Sequence, residues 1–246
     1  MTRRRRAAFV IVLLGVLPTG CSKGFNRGQM DSALRASSPR YTSSGLSVEE
    51  IEKLQPQVEL PIRLAVAPPL FADRRWSRSD QLDSWSPGES SEIESWEQRL
   101  RSEGVVREVV LLPPLLVEAC KSDDPGCVTR ARRAAAARLQ ADALLVLNVA
   151  TDVDEYVNPA SILDLTLVGL WVIPGHHVDA LTIIEGAMID NRNEYLYVLA
   201  RGEGEERMLR PFAYARAEHA VQRSRRQALA SFGDAFVREA SQLKTP

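Results

Sequence analysis

The period of the apolar positions changes several times along the chain, and each change marks an element. Residues 62–67 (Ile-Arg-Leu-Ala-Val-Ala) are β-rich and stop at Pro68-Pro69, a pair that cannot continue a hydrogen-bonded ladder, so they predict a first strand. Residues 105–112 repeat the arrangement and close on Pro113-Pro114. Between them, residues 70–90 read as a loop carrying Trp76 and Trp85 among Arg, Ser and Asp. A helix comes next, with Ser91 and Glu94 at capping-box spacing, Ile93, Trp96 and Leu100 on one face, and Gly104 as its stop. Upstream, Ser47 and Glu50 share that spacing and predict a short helix ended by Gln55-Pro56.

In the second half, Asp124-Pro125 reads as a helix start. Val128, Ala131, Ala135 and Leu139 line one face of that helix, and Arg130, Arg132, Arg133 and Arg138 form a wet opposite face. Residues 143–150 are almost continuously apolar, as in a strand covered on both faces. Three more strands are predicted over 161–173, 178–190 and about 194–201, joined by Pro174-Gly175-His176-His177 and Asn191-Arg192-Asn193; these short turns point to an antiparallel meander. Gly202-Glu203-Gly204 reads as a turn at a strand end, and about 214–243 as a long amphipathic helix kinked at Gly233. The expected fold class is α/β, a mixed β-sheet with a C-terminal antiparallel meander packed by helices, in a single domain over residues 47–246.

The N-terminal residues obey a different logic. Arg3 to Arg6 form a basic head, residues 7–17 are apolar, and Thr19-Gly20 are small, which is the layout of a secretory signal over residues 1–20. The apolar zone is too short to span a bilayer, and no apolar run in the chain reaches the roughly 18 to 20 residues that spanning needs. Cys21 comes directly after. Leu17-Pro18-Thr19-Gly20-Cys21-Ser22 resembles the lipobox of bacterial lipoproteins, in which the signal is cut before a diacylglycerol-modified cysteine and the new amino terminus is acylated. Pro18 stands where that pattern has Leu; a plain signal peptide is the alternative. The resemblance implies anchoring in the bilayer through acylated Cys21, handling by the lipoprotein processing and sorting machinery, and, with Ser22 rather than Asp next, delivery to the outer membrane facing the periplasm. Two or more acyl chains hold stably where one does not. Residues 21–46, poor in apolar side chains, read as a flexible tether, a coil of about 25 residues spanning roughly 25 to 30 Å.

Charge supports export over nucleic-acid binding. Of 31 basic residues, four lie in the leader, so cleavage before Cys21 leaves 27 against 32 acidic residues, a net charge of −5. No nucleic-acid partner and no cofactor are expected. Cys120 and Cys127 flank a polar Pro/Gly turn and read as a disulfide, worth about 2 kcal/mol for so short a loop, with free buried thiols as the alternative.

The block 161–175 (Ser-Ile-Leu-Asp-Leu-Thr-Leu-Val-Gly-Leu-Trp-Val-Ile-Pro-Gly), with 180–190 (Ala-Leu-Thr-Ile-Ile-Glu-Gly-Ala-Met-Ile-Asp) and 194–202 (Glu-Tyr-Leu-Tyr-Val-Leu-Ala-Arg-Gly), resembles the core of the rhombotarget lipoproteins over about 45 residues. More distantly, the strand plan is similar to periplasmic lipoprotein domains of the curli-secretion and cell-wall-synthase-activator kind. The resemblance implies a binding module in an envelope system, acting on an unidentified envelope protein, and not an enzyme; activation of a cell-wall synthase is a sharper alternative. The chain holds no Gly-Gly, so direct processing by a rhombosortase is not expected.

Several residues invite chemistry. His176, His177 and Asp179 suggest a metal site, against solvated turn residues as the ordinary reading, and His219 lies on the polar side of the last helix. Asp152, Asp154 and Glu155 suggest acid/base work by an envelope hydrolase, against a solvated loop. Asp164 and Glu185 fall mid-strand and need cations, solvent or a binding surface. Trp76 and Trp85 are the candidate partner contacts, with packing under their loop as the alternative.

Overall fold

The protein's structure is a computed structural model that describes residues 23–37, 47–72, 85–117, 120, 126–166 and 168–244. In chain order these form α1 (Arg27–Ser37), α2 (Val48–Ile51), β1 (Ile62–Val66), β2 (Leu70–Phe71), α3 (Pro87–Ser102) and β3 (Val106–Leu111). Next come α4 (Cys127–Arg138), β4 (Ala143–Val157), α5 (Gly169–Val172), β5 (His176–Asp190), β6 (Leu196–Arg210) and α6 (Ala217–Ser241). One mixed sheet runs in the order β3-β1-β4-β5-β6, with β2 beside β4. Its first three strands are parallel, and β4, β5 and β6 are the antiparallel meander.

Strand alternation assigns the cores. On β4, Leu145, Leu147 and Val149 face α3 and α6, where they join Trp96, Phe232 and Phe236. Leu144 and Val146 face the other way, toward Ala135 and Ala136 of α4. Helices therefore cover both faces of β4, which explains its unbroken apolar run.

Close backbone approach sets the larger core. A Cβ at Gly202 would lie 2.1 Å from the Phe232 amide nitrogen, and one at Gly204 2.2 Å from the Ser224 carbonyl oxygen. Both glycines lie inside β6 and are not the turn expected of them; without side chains there, α6 rests directly on the strand. Gly233 marks no break in α6. Its missing Cβ makes room for the Trp96 indole, which would otherwise be 1.9 Å away.

Local signals account for most boundaries. Ser47 and Glu50 close a reciprocal capping box on α2. On α3 the box is Ser86 with Glu89, not Ser91 with Glu94, because Pro87 takes the first helical position, where its missing N–H costs nothing. Gly104 comes after α3 with φ +63° and stops it as predicted.

Two further expectations are corrected. Residues 161–173 are not a strand: β4 and β5 pair directly out to Val157 and His176, so the connection leaves the sheet and forms a 3-10 turn, Pro159–Leu165, and then α5. Nor are residues 21–46 a tether throughout. Met30 and Leu34, one helical turn apart on α1, are buried against Ala150, Leu181 and Ile183, and that contact seats the helix on the sheet face that α4 leaves free. Cys21, residues 38–46 and Trp76 lie outside the described residues.

Gly202→Ala is expected to destabilise the fold by about 3 kcal/mol, the upper end of ordinary overpacking costs. Gly28→Ala, at an exposed α1 position where a Cβ meets nothing nearer than 3.7 Å, should gain up to about 1 kcal/mol. Urea denaturation midpoints check both.

Candidate interaction site

The acidic cluster predicted after the third strand lies on β4 itself. Asp152 and Asp154 project toward α1, and each accepts a backbone amide of the N-terminal segment. The Gly24 amide donates to Asp154 Oδ2 at 3.0 Å and the Asn26 amide to Asp152 Oδ2 at 3.0 Å. Asn26 in turn accepts the Gln29 amide at 3.0 Å and opens α1. Asp179, opposite Asp154 in the ladder, accepts from the Tyr156 hydroxyl at 3.2 Å. Burial, then the charge of Asp179, pushes the Tyr156 phenol up. The carboxylates thus act as acceptors that fasten the chain.

Charges on β6 complete the fastening. Arg201 meets Asp31 of α1 at 3.0 Å, Glu185 of β5 at 3.0 Å and Glu203 at 3.1 Å, while Arg27 pairs with Glu203. The hydrogen bond from Arg27 holds the Glu203 carboxyl below its usual range. Glu185, expected to need a cation, solvent or a binding surface, pairs with Arg201.

The histidines do not share a site. Adjacent strand residues point to opposite faces, so His176 bonds Asp164 Oδ2 at 2.7 Å whereas His177 stacks on Tyr156 at 4.6 Å. His219 is exposed on α6. Among the described residues, no three His, Cys, Asp or Glu side chains are arranged to hold a metal ion.

Other polar groups are similarly engaged. Thr151, Thr182 and Ser224 form a buried hydroxyl chain of 3.1 and 2.8 Å links between β4, β5 and α6, closed to solvent and so unsuited to nucleophilic work. Asp190, fully buried, accepts from the Tyr197 hydroxyl at 2.7 Å and from the Arg192 and Gln57 amides; burial, then the bond to Asp190, pushes the Tyr197 phenol up. Neither group is visible in the sequence, since Thr, Ser and Tyr in strands and helices give no spacing signal. On α4, Arg132 is buried and donates to the Pro68 carbonyl at 2.6 Å, and Arg133 pairs with Glu194, so that arginine face is a clamp and not simply wet.

Trp85 is half-buried against the main core, next to the Glu89–Arg225 pair of 2.5 Å, and Arg225 lies 4.7 Å from the centre of the Phe71 ring. Packing, not display, is its fate. Cys120 and Cys127 are joined in a disulfide with Cα atoms 5.9 Å apart, at the start of α4.

Exposed apolar side chains gather at one end of the sheet. The connection between β4 and β5, together with the 3-10 turn Phe212–Tyr214, caps the sheet end where β4 stops, β5 starts and β6 stops. Leu165, Val168 and Val172 are 87, 72 and 65% exposed, and Trp171, Phe212 and Tyr214 are also open.

No protein-family model matches the chain, and neither does any curated protein. Among solved structures it is similar to lipoprotein GNA1162 from Neisseria meningitidis, at 14% identity over 60% of this chain and 84% of that one, TM-score 0.30. It is also similar to the LpoB C-terminal domain from Salmonella enterica, at 11% identity over 60 and 84% of the two chains, TM-score 0.29. A PelC dodecamer from Paraburkholderia phytofirmans matches at 12% identity over 72 and 95%, TM-score 0.30.

The α1 clamp carries a pH signature. Because folding depresses the Glu203 pKa, its contribution is present above the unfolded value near 4.5 and is lost as pH falls below that toward the folded one. Amide exchange across residues 27–37 should therefore quicken, relative to the α6 core, between pH 6 and pH 3.5 after correction for intrinsic rates, and Arg27→Ala should speed it at pH 6.

Proposed function

We infer that this chain is an envelope lipoprotein, held on the periplasmic side of the outer membrane by acylated Cys21, whose folded body works by binding an envelope protein and not by catalysis. The observation that carries this is the order basic head, apolar zone, small residues and Cys21, placed just ahead of the segment that Gly24 fastens to β4. A cysteine so placed is the first residue of the mature chain in the lipobox pattern, and the residues after it enter the fold almost at once.

Binding is favoured over hydrolysis by what the polar groups already do. Asp152 and Asp154 hold backbone amides, and Ser224 and Thr182 hold each other inside the core. The likeness of residues 161–202 to rhombotarget lipoproteins agrees with an envelope role. No described helix is long and apolar enough to cross a membrane.

Cell fractionation tests the anchor. The full chain is expected in the membrane pellet after a high-salt wash, released by detergent, with a mature N-terminal peptide whose mass includes acyl chains. Cys21→Ala should move the protein to the soluble fraction. A bare thiol at Cys21 in the wild-type protein, or a Cys21→Ala chain that stays in the washed pellet, overturns the reading.

A further inference from the structure

We propose that the apolar cap at the end of the sheet is a seat for the bilayer surface, resting among the lipid head groups of the membrane that holds Cys21, so that the body sits on the membrane and does not hang clear of it. The proposal rests on the Cys21 anchor and adds an orientation and a second lipid contact.

The direction of the chain is the first argument. The Asn26 amide binds Asp152 and the Gly24 amide binds Asp154, so the chain read backward from 26 to 24 advances along β4 toward its end at Val157. Asp154 lies three residues, about 10 Å, from that end. Cys21 lies three residues before Gly24, a reach of at most about 11 Å. An acylated Cys21 is thus within reach of the cap. Most of the large apolar side chains exposed among the described residues lie at this end of the fold.

The composition of the cap is the second. Leu165, Val168 and Val172 project from two short turns, and Trp171 and Tyr214 meet edge to face with ring centres 5.7 Å apart. Aliphatic residues ringed by Trp, Tyr and Phe match the boundary between acyl chains and head groups. An exposed apolar cluster of this kind also needs a cover, since folding has not supplied one. The cap is held rigidly: the His176–Asp164 bond ties the 3-10 turn to β5, and Phe212 packs edge-on against His176 at 5.0 Å.

Charge is the third. A cleft of about 480 Å³ beside the cap is lined by Trp171, Tyr214, Arg210, Arg216 and His219. Arg210 and Arg216 form no ion pair among the described residues, although the mature chain as a whole is acidic. Cations at the rim of an apolar patch suit the phosphates of a lipid surface. Tethering by Cys21 makes such a contact intramolecular, so even a weak seat is occupied.

The test uses the full lipidated chain reconstituted into vesicles of phosphatidylethanolamine and phosphatidylglycerol, with and without bromine on the acyl chains. Tryptophan emission should be quenched by the brominated vesicles, and Trp171→Phe should remove that loss. Leu165→Asp combined with Val168→Asp should also abolish Trp171-dependent quenching while the protein still floats with the vesicles. A chain that floats but shows no quenching, or quenching untouched by Trp171→Phe, overturns the seat and leaves the anchor standing; a face reserved for a protein partner would give this result. A chain that does not float overturns the anchor, and the seat falls with it.

Discussion

The backbone of α6 rests on the backbone of β6 where Gly202 and Gly204 carry no side chain, and the remaining core is arranged around that contact. Any Cβ at either position would enter the space of a helix peptide group, so the distance between helix and sheet is set by main-chain atoms. At that distance Ser224 reaches Thr182 inside the protein, and Phe232 and Phe236 stack at 5.7 Å under the sheet. Gly233 repeats the device one layer out by admitting Trp96 of α3. Large rings buried this way contribute on the order of 2 to 3 kcal/mol each, but only if the backbones come close enough to leave no void.

Filling one face so completely decides the use of the other. There α4 covers the β1 and β4 side with small alanines and its Arg132 and Arg133 clamps, which leaves the outer part of β4 and β5 open. The N-terminal segment takes that vacancy. Its apolar contribution is small, Met30 and Leu34 with Phe25 beside them, so polar contacts hold the rest: two carboxylates for two backbone amides, and arginines shared between α1 and β6.

Much of this was legible in the sequence where one element supplies its own signal. Pro pairs ended β1 and β3, Gly104 ended α3, and the Val, Leu and Ile runs gave β4 and β5. Failures came where the meaning of a residue depends on its partner. Gly202 and Gly204 look like a turn until a helix is known to lie against them. Met30 and Leu34 are diluted by polar neighbours, although a spacing of four is a helical contact. The cap residues 161–173 alternate as a half-buried strand does, but β4 and β5 use up each other's edges, and the same apolar side chains end outside. Asp152 and Asp154 are recognisable as a cluster of acceptors; no spacing rule could say that the amides they accept are those of residues 24 and 26.

The anchor proposed at Cys21 would form one mechanical unit with the body. A coil of about 25 residues would have let the domain swing freely; instead, Gly24 is already bonded to β4, three residues after Cys21. In the proposed seat the sheet itself would be the spacer, since β5 has 15 residues and rises about 50 Å along its length. The end remote from the cap is built differently. There Arg192 and Asn193 hold the carbonyls of Gln57 and Gln55, Asp190 gathers the Tyr197 hydroxyl and the Gln57 amide, and Pro56, Val58, Tyr195 and Leu243 frame a small apolar cleft. One pole carries exposed apolar side chains; the other is closed by hydrogen bonds around a small cleft. Asp152 and Asp154 fix the direction of the N-terminal segment between these poles, because accepting the amides of Asn26 and Gly24 in that order runs the chain, read backward, along β4 toward the apolar one.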